Sequence, residues 1–470
     1  MLASESLLNK RKIVLTPFPS KQRLPTPLVS AAALLATVFQ ALQAAQAADA
    51  PSDTRALRRS RVVEVFENWK DSVVFVTGPV AKGEKPSLEE FFLSTGRLPK
   101  ESNVGTGFVI HKSGFVVTNA HGVERTIAHV VVLADGKASP AELIAVLHDQ
   151  DLALLKVIGG GPLKPVRLAL SGELMIGETV IVIGNPHALR YTCTAGVLSA
   201  IGRATHVADM PGVTLRDTIQ TDAGINPGSS GSPWFNVVGD VIGITASMKR
   251  DAQNIAFAVS TATLRRTLPK MLNVERRYGF ASGLEVSADG RCEVAAVVPE
   301  SPAAKAGLRR GDVITRLADL PVPTSLDYHL ALVGRRPDKT MSLELVRDGK
   351  PQTASLTLAL RPKPDAKALL KQKLGVEAVP IEPAQAKAMG LCVARGLVLT
   401  AVDPVFYAKV QHPPKVGDVL ARIGSLRPRG LDHAAELVEN LKPGDAIDLV
   451  VLRRQENVAT RIDIRLALPR

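Results

Sequence analysis

The chain has 470 residues, a hydrophobic content of 46% and a formal net charge of +13 at pH 7. This length suggests about three domains with sizeable cores, and the composition excludes a fully disordered chain. The basic residues are scattered in short pairs such as Arg309-Arg310. No basic motif with interleaved aromatic residues accompanies them, so they indicate a solvated surface and no nucleic-acid partner.

Residues 1–47 have the pattern of a bacterial-type export signal. Basic residues lie in Lys10–Arg23, an apolar segment runs over Leu28–Leu42, and Ala45-Gln46-Ala47 offers small residues for cleavage. The apolar segment is short for a membrane span. Because the leader is longer than usual, an uncleaved membrane anchor or a mistaken start codon is the alternative. The sequence therefore predicts a periplasmic or otherwise exported protein, with membrane association if the segment is retained.

The elements that follow begin with small polar residues, 48–60, which predict a flexible lead-in. Val62–Trp69 suits a short amphipathic helix, and Ser72–Thr77 suits a strand. Gly78–Asn103 is polar and predicts a long loop. From Gly105 to Val259, short apolar runs alternate with turn signals, which is the pattern of a β-barrel protein.

A histidine and an aspartate stand at the borders of two strand-like runs in this region. Phe115–Val117 leads into Thr118-Asn119-Ala120-His121-Gly122, so His121 is predicted where a strand ends and a loop begins. Asp151 opens the run Asp151–Lys156. Asp149 would project to the opposite face of that strand, and His148 is expected to have an ordinary structural role.

Ser230 lies in a loop with the residues that a nucleophilic serine needs. The stretch Ile225–Trp234 places Gly228 and Gly231 on either side of it. A serine nucleophile requires a neighbouring base and backbone N–H groups aimed at the developing oxyanion. With His121 and Asp151, the sequence predicts a catalytic triad, with the amides of Gly228, Ser229 and Ser230 as candidate oxyanion donors. A plain Gly/Ser/Pro surface loop is the alternative.

The position six residues before Ser230, which carries an acid in enzymes that prefer basic side chains, is Gly224. The neighbouring walls are predicted to come from two strand-like runs, with Ile244 and Ala246 on one and Phe257 and Val259 on the other. An uncharged pocket cannot compensate a buried cation, so we expect cleavage after small or medium aliphatic residues. Asp222 is expected to brace the nucleophile loop.

These blocks resemble the HtrA/Deg family of chymotrypsin-fold serine proteases with PDZ domains, in the right order along the chain. The resemblance implies a mainly β fold, a chymotrypsin-like double β-barrel followed by two PDZ domains of α+β, partly open barrel type. It also implies a homo-oligomer, such as a trimer, in which Phe66 and Trp69 lie at the interface or pack within their own domain. Ser229 and Ser232 depart from the family, which usually has Asn and Gly at these positions.

The C-terminal half contains an internal repeat. Ser301–Ile314 resembles a PDZ signature, and Val416–Leu420 repeats part of it. Each copy then has a helix and a strand, which the pattern predicts at Ser325–Val333 and Met341–Arg347 in the first copy and at Leu431–Leu441 and Ala446–Arg453 in the second. The domain limits are predicted as 61–260 for the protease, 261–277 for a linker with a helical pattern, 278–362 for the first PDZ domain and 366–470 for the second.

PDZ domains bind an extended peptide by strand addition and hold its terminal carboxylate in a backbone nest. In the first copy either Gly279 or Gly283 could form this loop, and in the second copy the candidate is Leu374-Gly375-Val376. The alternative for each copy is a structural spacer with a closed groove.

The resemblance implies an ATP-independent serine endopeptidase of extracytoplasmic protein quality control, acting on unfolded proteins without metal or other cofactor. A proteolytically inert PDZ scaffold or chaperone is the alternative. The cysteines, Cys193, Cys292 and Cys392, have neither disulfide nor zinc-site spacing and are expected to be buried thiols.

Overall fold

A computed structural model describes most of the chain after the export segment. Its described residues are 54–79, 102–124, 126, 128–159, 161–170, 174–185, 191–207, 210, 212–249, 252–288, 290–388, 396–424, 426–455 and 458–469. The predicted export signal, most of the loop at 78–103 and Cys392 lie outside these residues. The chain divides into two compact units, Met1–Arg59 and Ser60–Arg470. Of the first unit, the structure describes the short helix α1 (Thr54–Leu57).

The second unit opens with helix α2 (Arg61–Trp69) and a 3-10 turn (Lys70–Ser72). Ser60 caps α2 because its hydroxyl accepts a hydrogen bond from the Val63 amide. At the other end, the Trp69 ring stacks on Phe235 with the ring centroids 6.2 Å apart, and the ammonium of Lys164 lies 4.9 Å from the Trp69 ring. Trp69 therefore packs within its own domain, which was one of the two interpretations of this residue.

The first barrel is closed by six strands, paired in the order β1-β2-β3-β6-β5-β4. Its strands are β1 (Val73–Pro79), β2 (Ser102–His111), β3 (Phe115–Thr118), β4 (His129–Val132), β5 (Ala138–Leu147) and β6 (Leu152–Val157). Helix α3 (Ala120–Val123) follows β3, and a 3-10 turn (His148–Gln150) precedes β6. Strands β2 and β3 pair as an antiparallel hairpin, and so do β4 and β5, in keeping with the turn signals of the sequence.

The second barrel is built from the strands that follow. They are β7 (Arg167–Leu168), β8 (Thr179–Gly184), β9 (Thr192–His206), β10 (Thr214–Thr221), β11 (Pro233–Phe235), β12 (Asp240–Met248) and β13 (Ala256–Ser260). The pairing of β11 with β12 closes six of them into a ring, and β7 lies parallel to β12 outside it. Trp234 fills the interior and donates its indole N–H to the Thr245 hydroxyl at 2.8 Å. The predicted double barrel is therefore confirmed.

The segment expected as a linker is two packed helices, α4 (Thr261–Leu272) and α5 (Val274–Tyr278). Leu264, Leu268 and Leu272 lie on one face of α4 at a spacing of four residues, and all three are fully buried. They belong to one hydrophobic core that also includes residues of the second barrel and of the first PDZ region. The connection is therefore part of the packed structure.

The first PDZ region consists of short strands around two helices. Its elements are β14 (Phe280–Ala281), β15 (Leu284–Val286), β16 (Val294–Val297), α6 (Pro302–Lys305), β17 (Val313–Leu317), β18 (Leu320–Pro321), α7 (Ser325–Ala331), β19 (Thr340–Arg347), β20 (Lys350–Thr357) and β21 (Ala359–Leu360). They pair as β14-β21, β15-β16 and β18-β17-β19-β20. The helix predicted from Ser325 is confirmed, and it ends two residues earlier than the pattern indicated.

The second PDZ region forms one five-stranded sheet in the order β22-β23-β24-β25-β26. Its elements are α8 (Ala366–Leu374), β22 (Val376–Pro380), α9 (Pro383–Ala388), β23 (Leu397–Val402), β24 (Val419–Ile423), α10 (Leu431–Val438), β25 (Ala446–Gln455) and β26 (Val458–Ala467). Helix α8 packs Leu370 and Leu374 into the same core as Ala434 and Val438 of α10. Among the described residues, no helix of either unit is both long and apolar enough to cross a membrane.

The repeat is visible as a matched ion pair in the two PDZ regions. In the first, Arg347 at the end of β19 donates to both carboxylate oxygens of Asp312, each at 2.7 Å. In the second, Arg453 donates to Asp418 at 3.0 and 2.9 Å, at the same sequence separation. Burial alone would raise the pKa of Asp312, but hydrogen bonds from Arg347 and from the Arg309 amide, together with the charges of these two arginines, outweigh it and lower the pKa. The Gly-Asp motif of both copies therefore has one structural role.

Candidate active site

His121 and Asp151 are adjacent and buried. Asp151 is fully buried and His121 is 6% exposed. His121 Nδ1 lies 2.8 Å from Asp151 Oδ2, and the backbone amide of His121 donates to Asp151 Oδ1 at 3.0 Å. An Nδ1–H donated to a carboxylate makes Nε2 the basic nitrogen of the ring. The pair can therefore present His121 as a general base.

Local backbone geometry sets this arrangement. His121 lies in helix α3, where the sequence pattern had placed a loop. Asp151 adopts a left-handed conformation with φ +50°, and its carbonyl accepts from the side-chain amide of Asn119 at 3.0 Å and from the backbone amide of Ala120 at 3.2 Å. Asn119 and Ala120 thus connect the start of α3 by hydrogen bonds to Asp151, which orients the imidazole.

Two consecutive turns carry Ser230. The Ser229 amide donates to the Asn226 carbonyl at 2.9 Å, and the Ser232 amide donates to the Ser229 carbonyl at 2.9 Å. The third residues of these turns, Gly228 and Gly231, have φ +92° and +84°, as type II turns require. The prediction that Ser229 supplies an oxyanion donor is wrong for this structure, because the Asn226–Ser229 turn uses that amide. Gly228 and Ser230 remain the candidate donors.

Thr106 on β2 connects the nucleophile loop to the first barrel. Its amide donates to the Ser230 carbonyl at 2.8 Å, and its hydroxyl donates to the Gly228 carbonyl at 2.9 Å. Its own carbonyl accepts from the hydroxyl of Thr118, three residues before His121, at 2.7 Å. A Cβ on Gly231 would lie 1.9 Å from the Thr106 carbonyl oxygen, so only glycine fits there. The structure therefore docks the loop of Ser230 onto the strands that lead to His121, a connection that no sequence motif indicated.

Ser232 is accommodated by a glycine on the neighbouring strand. Its side chain is fully buried, and its hydroxyl has no hydrogen-bond partner among the described residues. A Cβ on Gly184 would lie 2.2 Å from Ser232 Oγ. The hydroxymethyl group of Ser232 thus lies in the space left by the absent side chain of Gly184. It does not block the turn that holds Ser230.

One polar residue beside the proposed triad, Glu124, was missed by the sequence analysis. Glu124 follows α3, and its carboxylate lies 3.0 Å from His148 Nε2. The neighbouring carboxylate of Glu124 raises the pKa of His148 above its usual value. Glu124 is brought to His148 only by folding, so no local motif indicated this pair. The other acid of interest, Asp222, accepts from the Val197 amide at 2.7 Å and so braces β9.

A cavity of about 320 Å³ adjoins the nucleophile loop and contains Gly224 in its lining. Ile244, Ala246 and Val259 do not line this cavity, because their side chains point into the hydrophobic core and are at most 3% exposed. Phe257 is half-buried and also lies outside this lining. These four wall predictions are therefore not met by this cavity, and Ile244, Ala246 and Val259 instead share a hydrophobic core with Leu264 and Leu268 of α4.

The cavity differs in charge from the predicted pocket. Its lining includes Lys249 and Met248, and it contains no acidic residue. A cavity with a basic residue and no acid offers no compensation for a basic side chain of a substrate. The expectation that cleavage after Lys or Arg is disfavoured thus fits this lining.

The PDZ glycines differ in what surrounds them. Gly279 ends α5 with φ +69°, and its amide donates back into that helix. Gly283, also with φ +69°, lies directly before β15, and Ser301 fills the place of its absent side chain. In the second PDZ region, Leu374 and Val376 are buried and the Gly375 amide donates to the Lys371 carbonyl at 3.0 Å. The Gly283 loop opens onto β15, a strand that borders a cavity.

The described cysteines are free thiols with raised pKa values. Burial, followed by the charge of Asp327, raises the pKa of Cys292 to about 12, and burial raises that of Cys193. Across the described ranges, no group of three or more His, Cys, Asp or Glu side chains is arranged to hold a metal ion.

Comparison with known proteins agrees with this geometry. The family model of the trypsin-like peptidase domain matches residues 105–244, and that of the PDZ domain matches residues 241–358. The chain is 30% identical over 465 residues to a "Probable periplasmic serine endoprotease DegP-like" of Pseudomonas fluorescens, covering 90% of this chain and 95% of that protein. The chain belongs to the HtrA/DegP-like family of serine endoproteases.

Other members of the HtrA/DegP-like family give further matches. A protein of the same name from Chlamydia pneumoniae is 34% identical over 323 residues, which is 65% of each chain. A solved HtrA-type protease with a decapeptide is 26% identical and covers 65% of this chain and 98% of its own, with a TM-score of 0.38. The near full-length match to the Pseudomonas fluorescens relative carries the family assignment, and it places this chain among the serine endopeptidases.

Proposed function

We propose that this chain is an exported, ATP-independent serine endopeptidase that cleaves unfolded or misfolded proteins as part of extracytoplasmic protein quality control. The observation that carries the proposal is the buried pair of His121 and Asp151, with 2.8 Å between Nδ1 and Oδ2, beside a docked nucleophile loop. The relatives named as periplasmic endoproteases support the class of enzyme and the compartment.

The proposed mechanism follows from the roles of three side chains. Ser230 attacks the peptide carbonyl, and His121 removes the serine proton and later delivers it to the leaving amine. Asp151 holds the imidazole in the required tautomer, and the amides of Gly228 and Ser230 stabilise the oxyanion. The cavity next to Gly224 is proposed to receive a small or medium uncharged side chain. The chemistry needs neither a metal nor a nucleotide.

The remaining regions are proposed to deliver substrates. The PDZ regions, at 278–362 and 366–470, would bind extended peptide segments, and the protease domain would span 61–260. Residues 1–47 would direct export and be removed or kept as an anchor. We further propose a homo-oligomer such as a trimer, in keeping with the family resemblance.

Labelling with a fluorophosphonate probe tests the proposal directly. The full chain should become covalently labelled at Ser230, as detected by mass spectrometry, and should degrade unfolded casein in the absence of ATP. The Ser230→Ala variant should lose both properties while keeping its melting temperature. Equal casein cleavage by the two proteins would refute the assignment and favour an inert PDZ scaffold.

A further inference from the structure

The first PDZ region has an open strand edge next to a cavity. The cavity, of about 610 Å³, lies between β15 and α7 and is closed on a third side by α4 and α5. Strand β15 pairs with β16 on one edge, and its other edge pairs with no strand of the described chain. An extended peptide that adds to an open edge of this kind gains main-chain hydrogen bonds.

The direction of the backbone groups identifies the edge that faces the cavity. The Gly283 carbonyl accepts from the Val298 amide, and the Ser287 amide donates to Glu293, so these odd-numbered residues face β16. Backbone groups alternate along a strand. Leu284 and Val286 therefore turn their backbone groups towards the cavity, and both residues contribute to its lining.

The loop at the start of β15 is where a terminal carboxylate would be received, and it already holds a carboxylate. The Ser282 amide donates to Glu275 Oε1 at 3.0 Å, and the Ser282 hydroxyl donates to the same oxygen. The Leu284 amide in turn donates to the Ser282 hydroxyl at 3.1 Å. The Ser282 amide is therefore occupied directly by Glu275, and the Leu284 amide is occupied by the Ser282 hydroxyl that Glu275 holds. Neither of these amides is left to bind a ligand carboxylate.

Neighbouring ion pairs anchor the helix that carries Glu275. It lies on the short helix α5, and the next residue, Arg276, forms an ion pair with Glu439 of the second PDZ region. Glu439 also lies 3.2 Å from Arg361, which follows β21. A peptide carboxylate would thus have to displace a carboxylate whose helix is anchored by neighbouring charges, and the two like charges would repel each other.

We propose that Glu275 determines the ligand class of the first PDZ groove, by filling its carboxylate loop so that the groove accepts internal extended segments and not free C-termini. The proposal rests on the proposed peptide binding by this PDZ region. An internal segment needs only the Leu284 carbonyl and the backbone groups of Val286, which Glu275 leaves available. For an enzyme that cleaves unfolded chains, such a groove would engage any exposed extended stretch of the substrate.

A random octapeptide library, synthesised once with free and once with amidated C-termini, tests the proposal. Capture is measured by mass spectrometry on full-length Ser230→Ala protein, which cannot cleave the peptides. Adding Glu275→Ala should raise the capture of free-acid peptides about tenfold and leave the capture of amidated peptides unchanged, because a vacated loop offers its amides to a terminal carboxylate. Glu285→Ala, which removes an acid from the same cavity without touching Ser282, is the matched control and should change neither.

Equal free-acid capture by the Glu275→Ala and Glu285→Ala proteins would overturn the proposal, and so would a parallel rise for amidated peptides. If Glu275→Ala does not fold, Glu275→Gln decides, since its amide oxygen can still accept from Ser282 while the charge is gone. That variant should raise free-acid capture severalfold, and no change would refute the proposal. Fluorophosphonate labelling of Ser230 in the Glu275→Ala chain is a separate readout, so a failure of the protease assignment is distinguishable.

Discussion

His148 Nε2 lies 3.0 Å from the Glu124 carboxylate, and this pair links the two segments that carry His121 and Asp151. Glu124 is the C-cap of α3, which contains His121. The His148 carbonyl accepts a hydrogen bond from the Asp151 amide at 3.1 Å. The pair therefore spans the turn before Asp151 and the helix of His121, although neither partner reacts with substrate.

This pair predicts a pH dependence of stability. The neighbouring carboxylate of Glu124 raises the pKa of His148, with Asp149 acting in the same direction, while burial and Arg422 oppose it. A raised pKa in the folded state means that the stabilisation is complete below the unfolded pKa of about 6.5 and is lost as pH rises through the folded pKa. Because His148 is about half exposed, the contribution is at most about 0.5 kcal/mol.

The measurement is the melting temperature of the wild type and of His148→Gln between about pH 5 and 8.5. The difference between the two proteins should be largest at low pH and vanish at high pH, and Glu124→Gln should behave in the same way. In assays of kcat/KM, both variants should lose activity most at the acidic end. A difference that is constant across the range would contradict the prediction.

Asp151→Asn should abolish most of the activity and leave the fold intact. An amide at this position can hold the imidazole in the wrong tautomer, which lowers kcat by about 10⁴ in a Ser-His-Asp protease. Asp149→Asn is the matched control, because that exposed carboxylate contacts only Gln150 among the interactions described. Initial rates on a peptide substrate and the rate of fluorophosphonate labelling measure the effect. Similar losses in both variants would rule out the assigned role of Asp151.

Ser232 and Gly184 should be energetically coupled. Ser232→Ala removes a buried hydroxyl without a partner and should raise the free energy of unfolding by about 1 kcal/mol. Gly184→Ala should lower it by about 2 kcal/mol, because the new Cβ would lie 2.2 Å from Ser232 Oγ. Combining Gly184→Ala with Ser232→Ala should recover most of that loss, because the clashing hydroxyl is then absent, as measured by urea unfolding. Simple additivity in this double-mutant cycle would disprove the coupling.

Arg265→Lys should weaken the connection between the second barrel and the first PDZ region. The buried Arg265 guanidinium donates to the carbonyls of Leu168 and Ala169 and to the hydroxyl of Thr324, which caps α7. A lysine cannot serve these three acceptors together, so we expect a loss of about 3 kcal/mol in the free energy of unfolding. Arg266→Lys, whose guanidinium donates to Thr263, should cost less than about 1 kcal/mol. Equal losses in the two variants would show that the described contacts of Arg265 are not decisive.

The proposed catalytic residues could be predicted because the residue types next to them in the sequence indicate their roles. Glycines at 228 and 231 are required by positive φ angles, and His121 and Asp151 each border a strand-forming run. The walls of the substrate cavity could not be predicted in the same way. A strand pattern shows that Ile244 and Val259 are apolar, but it does not show whether they face a cleft or the hydrophobic core shared with α4.

The sequence by itself determined the family, the order of the domains, the double barrel and the identity of the proposed triad, because turn residues and strand periodicity are local properties of the chain. Only the tertiary structure decided which distant groups meet: Thr106 with the nucleophile loop, Glu124 with His148, and Glu275 with Ser282. The residues adjacent in sequence to each of these groups form no motif that would indicate the contact. They depend on how helices and strands pack, which is set by the whole core.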